Sequence, residues 1–435
     1  MFEYLRRIWY SKDVRKKILF TLFALAIFRL AAHVSVPGVN VENMRRIFER
    51  NSALGAFAML TGGRMENFSV ILMGLSPYIN ASIIIQLLGV IIPKIEQLQK
   101  EGEEGHRKIN QWTRYASVPL ALLQSYGMIT LLNRSAGNMP LIENISDPKV
   151  ILPIMLTVVT GTVLLMWLGE IITEKGIANG ISIIIFAGIV ANIPAMIGQN
   201  VGIAYIGQDY FRLIPFAVML IITFLLTVFV ILTTEAQRNI PITYAGRRMV
   251  GGGEQSVIPI RMNQAGMIPI IFAVSIMLFP TVIAQFFQNA RAEWLRNLAK
   301  SLINQVNHTS IWYIIIHFLL VFAFTYFYVS IVFNPTEVAE NIQKRGGFIP
   351  GLRPGSQTAD FLAKVSSRLT FFGGLCLAIV AVFPFILQGV FGSLNLPSIS
   401  LLISGAGLII VVGVVIEIIN NVNAELVMHN YDELY

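Results

Sequence analysis

The sequence predicts an all-α polytopic membrane protein with ten transmembrane helices and both termini in the cytosol. Three observations carry this expectation. Hydrophobic residues make up 55% of the 435-residue chain and charged residues only 13%, about half the charged share of a soluble domain, and the mean hydropathy is +0.68. A window reading finds ten long apolar segments. Lysine and arginine are unevenly shared: 21 of the 32 fall on segments that an N-terminus in the cytosol would place inside, as the positive-inside rule requires.

The chain opens with a basic stretch, 1–17, carrying Arg6, Arg7, Lys12, Arg15, Lys16 and Lys17. It has no cleavage pattern of a signal peptide and reads as a cytosolic tail. The apolar segments follow at 18–36, 75–92, 116–132, 150–172, 177–197, 213–232, 266–287, 311–333, 369–387 and 399–419. They divide the chain into an N-terminal half, 18–197, a C-terminal half, 198–420, and a cytosolic tail, 421–435. No repeat is visible residue by residue. Five segments per half, an odd number, would invert one half relative to the other, the plan of many transport folds.

The second segment is unusual. Its helix starts at a proline, Pro77, after a Gly-rich, partly charged stretch. At ~1.5 Å per residue it is about 24 Å long, short of the ~30 Å hydrocarbon core. An undersized, interrupted segment of this kind marks a transport site, because irregular backbone at membrane depth is tolerated only inside protein or beside water. Two cytosolic loops, 233–263 and 334–367, are long, basic and punctuated by Gly and Pro. Each reads equally as a solvated connector carrying positive-inside charge or as a projecting hairpin suited to docking a partner with an acidic or phosphate-bearing surface.

Enzyme signatures are absent from the sequence. There is no Walker-type phosphate loop, no H-E-x-x-H and no G-x-S-x-G elbow. One cysteine, Cys376, and five scattered histidines give no metal set. No cofactor or metal is expected. An ion-coupled small-solute transporter, the competing class, would need carboxylates deep in the spans. The available acids, Glu170, Glu174 and Glu417, sit near the cytosolic ends. Arg29 and His33 lie one turn apart in the first segment, where snorkelling or a backbone carbonyl accounts for the arginine. Leu75 and Ile79, like Ile181 and Ile185, fall four apart on one helix face, a spacing equally compatible with packing against lipid or protein.

Several long motifs closely resemble the SecY family of protein-conducting channels. They are GLSPYINASIIIQLL (74–88), EGEEGHRKINQWTRY (101–115), TGTVLLMWLGEIITEKGIANGISIIIFAGIVANIP (160–194), NQAGMIPIIFAVSIMLFP (263–280), VFNPTEVAENIQKRGGFIPGLRPGSQTADFL (332–362) and GLIIVVGVVIEII (407–419). The resemblance implies two inverted halves of five spans around a central, hourglass-shaped pore in the cytoplasmic membrane. It implies a waist of apolar side chains at Leu75, Ile79, Ile181, Ile185, Ile271 and Ile410; Leu75 stands where the family often has isoleucine. The stretch 57–71 becomes a plug in the outer funnel, with Phe57, Gly62, Gly63, Arg64, Glu66, Asn67 and Phe68. Asn80 and Phe279 become facing positions of a lateral gate, with Gln86 and Gln124 as nearby polar contacts. The two cytosolic loops become docking sites for a translating ribosome or the SecA ATPase, through Arg353 and, less cleanly aligned, Arg247 and Arg248. SecE and SecG become membrane partners. The cargo is an unfolded polypeptide led by a signal sequence, with membrane segments released sideways into lipid.

Overall fold

A computed structural model describes residues 6, 9–40, 42–44, 68–135, 141–142, 147–198, 213–244, 256–287, 292–305, 310–393 and 404–432. In chain order, the helices α1 (Lys12–Ala31), α2 (Ser76–Ile91), α3 (Pro93–Lys100), α4 (Glu103–Ser135), α5 (Pro148–Lys175), α6 (Gly180–Val190) and α7 (Leu213–Glu235) come first. A hairpin of β1 (Gln237–Tyr244) and β2 (Ser256–Arg261) follows. Then come α8 (Ile268–Phe287), α9 (Glu293–Gln305), α10 (Ile311–Val332), α11 (Pro335–Lys344), β3 (Gly347–Phe348), α12 (Ser356–Ser393) and α13 (Gly405–Asp432).

Each of the ten apolar segments is mainly helical over its described residues. By length and composition alone, six helices among the described residues can cross a membrane, or seven if α2 and α3 count as one span bent by 110°. α1 begins on a run of lysines and arginines, and α4 carries Gln111, Arg114 and Gln124 along its 33 residues, which dilutes their hydropathy. The α2–α3 bend falls at Pro93, whose ring forbids a continuous helix and pushes Ile92 to an extended backbone, φ −103° and ψ 110°.

Contacts divide the chain into two compact units. The first comprises Met1–Asp209, Leu278–Asn307 and Leu402–Tyr435, so the last helix, α13, clusters with the N-terminal segments. Within it α2 packs on α4, α4 on α5, α5 on α6 and α1, and α6 on α13. The close approaches rest on glycine. A Cβ at Gly161 on α5 would run into the Val70 carbonyl, and one at Gly180 would run into the Gly169 carbonyl. The α5–α6 turn is tight for the same reason, and the Asn179 side chain caps α6 by accepting from the Ile181 and Ser182 amides at 3.0 and 3.3 Å.

The second unit comprises Tyr210–Met277 and His308–Leu401. α10 lies along α12, and Phe272 on α8 meets Phe324 and Tyr328 on α10 edge to face. Below the helices sits a three-stranded antiparallel sheet in the order β2-β1-β3. The register pairs Gln237 with Arg261 and Ile242 with Ser256. Ile240, Ile242 and Ile260 drop from the sheet onto Ala339 and Ile342 of α11 and Leu362 and Val365 of α12. These strands give the loop 233–263 paired β-structure, which the reading as a projecting hairpin did not specify. In β1, Ile240 and Ile242 alternate with exposed Asn239, Pro241 and Thr243, the period-two pattern of a half-buried strand. The span boundaries also move. Residues 356–367 already belong to α12, and α13 runs on to Asp432, well past the expected end of the tenth span.

Candidate functional site

The segment 68–75 feeds directly into α2 and is held firmly. Ser35 and Ser69 form an antiparallel bridge, with Val36 N–H donating to Phe68 O and Val70 N–H to Val34 O, both at 2.9 Å. Phe68 adopts φ 44°, a left-handed conformation costly for a bulky residue. The compensation is burial: its ring is fully enclosed in a cluster with Val36, Leu72, Met73, Ile129, Leu132 and Val158. Gly74, φ 55°, turns the chain into α2. The plug residues Phe57, Gly62, Gly63, Arg64, Glu66 and Asn67 lie outside the described residues. Of the expected plug residues, Phe68 is held in this cluster.

Leu75 then sits at the N-cap of α2, buried, and the Ile79 amide donates to its carbonyl at 3.0 Å. Ile181 and Ile185 ride on α6, where Ile185 is buried and Ile181 half-buried, its Cγ1 lying over Gly169 of α5. Ile410 is buried on α13, which packs against α6. Five of the six ring positions therefore belong to the first unit. Ile271 lies half-buried on α8 in the second.

The α6–α13 pairing is fixed at one end by a polar seam that sequence reasoning missed. Glu417, Asn421 and Glu425 are four residues apart on one face of α13. Glu417 Oε1 accepts from the Asn179 amide at 3.3 Å, Asn421 Nδ2 donates to the Ile177 carbonyl at 3.1 Å, and Glu425 pairs with Lys17. A second tie, Arg114 Nε to Glu170 Oε1 at 2.6 Å, joins α4 to α5. Two of the acids weighed as ion-coupling groups are thus structural partners. His33 Nδ1 bonds the Arg29 carbonyl at 2.7 Å. Among the described residues, no cluster of His, Cys, Asp or Glu forms a metal site.

The SecY family model matches residues 69–419. The chain belongs to the SecY family. The protein translocase subunit SecY of Bacillus subtilis is 40% identical over 99% of both chains, and that of Thermotoga maritima is 38% identical over 99% of this chain and 97% of its own. The fold is shared with a solved protein-conducting channel, at a TM-score of 0.67 and 18% identity over 94% of this chain and 92% of that one. It is also shared with Sec61 from a canine ribosome-channel complex, at 0.63 and 17% over the same shares.

The remaining SecY-like positions are placed as follows. On α2, Asn80 is half-buried and its Oδ1 is sealed from solvent with no hydrogen-bond partner; Gln124 Oε1 on the packed neighbour α4 is in the same state. Gln86 donates to Ser82 Oγ at 3.2 Å, one turn away on the same helix. Phe279 falls on α8. Arg353 is exposed on the turn between β3 and α12, between Gly351 and Gly355, whose φ values are 83° and 106°; Thr358 Oγ1 donates to its carbonyl at 2.9 Å. Arg247 and Arg248 lie outside the described residues.

Proposed function

We propose that this chain is the passive pore of a protein translocase, conducting unfolded secretory polypeptides across the cytoplasmic membrane and releasing membrane segments sideways into lipid. Full-length identity of about 40% to translocase subunits carries this reading. The chemistry agrees with it. Leu75, Ile79, Ile181, Ile185, Ile271 and Ile410 form a waist of branched aliphatic side chains. Such a constriction dewets and blocks ions, and it closes around a passing chain without reading its sequence. The stretch 57–71 serves as the plug, and Phe68 ties it to the core of the first unit.

The lateral gate runs along α2 and α8. Asn80 on α2 and Gln124 on α4 are its polar groups; polar contacts between membrane helices are worth only about 1 kcal/mol each, so such a seam opens when an apolar signal sequence partitions into it. The cytosolic module of sheet, α11 and the Arg353 turn is the docking face for a SecA-type ATPase or a translating ribosome, with Arg247 and Arg248 as further contacts. SecE and SecG are the membrane partners, both termini are cytosolic, and the energy comes from the docked partner.

The test is transport into proteoliposomes that hold the chain with SecE and SecG, supplied with SecA, ATP and a secretory precursor. Protection of the precursor from external protease is the expected result. Accumulation of a small solute with no protected precursor would favour the ion-coupled transporter instead.

A further inference from the structure

We infer that α9 is an interfacial helix that beds Trp294 and Leu298 into the headgroup–acyl boundary of the bilayer. Trp294 is 66% exposed and Leu298 50% exposed, whereas Ala299 is 1% exposed. With 3.6 residues per turn, Trp294 and Leu298 sit about 40° apart, and Ala299 about 140° from Trp294. Glu293 and Asn297, both exposed, fall on the opposite side of the apolar pair from Ala299. The helix therefore has three arcs: a small residue toward its own protein, a polar edge toward water, and a large apolar pair toward neither.

Chain length identifies what the third arc meets. Only residues 288–292 separate α9 from the apolar helix α8, and only 306–310 separate it from α10, which is long and apolar enough to span a membrane. Five extended residues reach about 18 Å, so α9 stays within that distance of a span end. At 13 residues it is about 20 Å long, too short to cross. A short helix with one apolar face, tethered at both ends to spans, lies in the interface plane. Tryptophan is the side chain suited to that depth, its ring amphipathic and its N–H able to reach headgroups. Arg296 pairs with Glu293 at 3.3 Å along the first turn, and Lys300 leaves the helix with a net positive charge, the sign that suits an anionic headgroup layer. The inference requires the chain to sit in a bilayer but not to conduct protein, so its failure and that of the channel reading are separable.

The experiment uses the full chain with Trp9, Trp112, Trp167 and Trp312 replaced by Phe, leaving Trp294 as the reporter. It is reconstituted in phosphatidylcholine–phosphatidylglycerol vesicles whose acyl chains are brominated at a shallow or a deep position. We expect shallow bromines to lower the emission at least twofold, deep bromines to lower it less, and aqueous iodide to have little effect. Strong iodide quenching without a bromolipid effect would place the face in water and overturn the inference; quenching by neither would place it under protein and overturn it equally. Leu298→Asp, checked for unchanged helicity and elution, should shift the Trp294 emission to the red by lifting the helix out of lipid.

Discussion

The polar seam on α13 makes a graded prediction about the turn 176–179 and the start of α6. Asn421 Nδ2 holds the Ile177 carbonyl at 3.1 Å in a half-buried setting. Asn421→Ala removes a neutral hydrogen bond worth about 1 kcal/mol and leaves a partly buried carbonyl unpaired, for a total of about 1–2 kcal/mol. The Glu417 contact is charge-assisted but long, 3.3 Å, and solvent-exposed, so Glu417→Ala should cost about 1 kcal/mol. Lys17 and Glu425 keep 39% and 21% of their side-chain surface exposed, and solvent screening holds Lys17→Met to about 0–1 kcal/mol. A loss of 1.4 kcal/mol is a factor of ten in a local opening equilibrium. Amide hydrogen exchange over 177–182 should therefore speed up about tenfold in Asn421→Ala, less in Glu417→Ala and least in Lys17→Met. Exchange over β1 and β2, in the other compact unit, should not change. An unaltered rate over 177–182, or equal acceleration in the sheet, would refute the reasoning.

Two further outcomes follow from the packing. Replacing Ile410 by Asn puts an amide into a buried apolar site, at about 1–3 kcal/mol against the dry closed state; ion leak in planar bilayers and translocation of precursors with defective signal sequences should both rise, and unchanged conductance would count against the ring. Gly161→Ala drives a methyl into the Val70 carbonyl and should destabilise the detergent-solubilised protein by about 1–3 kcal/mol, read as a lower melting temperature by scanning fluorimetry, while Gly389→Ala, with open space around it, should not.

Much of this architecture is legible in the sequence because hydropathy and charge act locally. The short second span, its proline start and the bend at Pro93 follow from backbone rules applied to a few adjacent residues. The β1 strand is harder to see: Ile240 and Ile242 alternate with exposed Asn239, Pro241 and Thr243, but the Gly- and Pro-rich setting of the loop hides so short a pattern from a window reading. The seam was not legible, because Asn421 meets Ile177 across 244 positions and nothing local distinguishes it from a polar helix end. Phe68 is the instructive case. Its sequence setting of glycines and charges gives no sign that its ring is locked in the core; that depends on Val36, Ile129 and Val158, far away in the chain. For the ring, spacing placed Ile181 and Ile185 on one face, but Ile181 leaning over Gly169 depends on a glycine in another helix.

The central claim is that a polypeptide passes through the waist defined by Leu75, Ile185 and Ile410. The direct measurement is disulfide trapping of a precursor arrested midway, with one cysteine in its translocating segment, against single-cysteine channels in a Cys376→Ser background. Cysteines at 75, 185 and 410 should each join to the precursor, while one at Leu123, a strongly exposed position on α4, should not. Trapping at Leu123 but at none of the three waist positions would contradict the account.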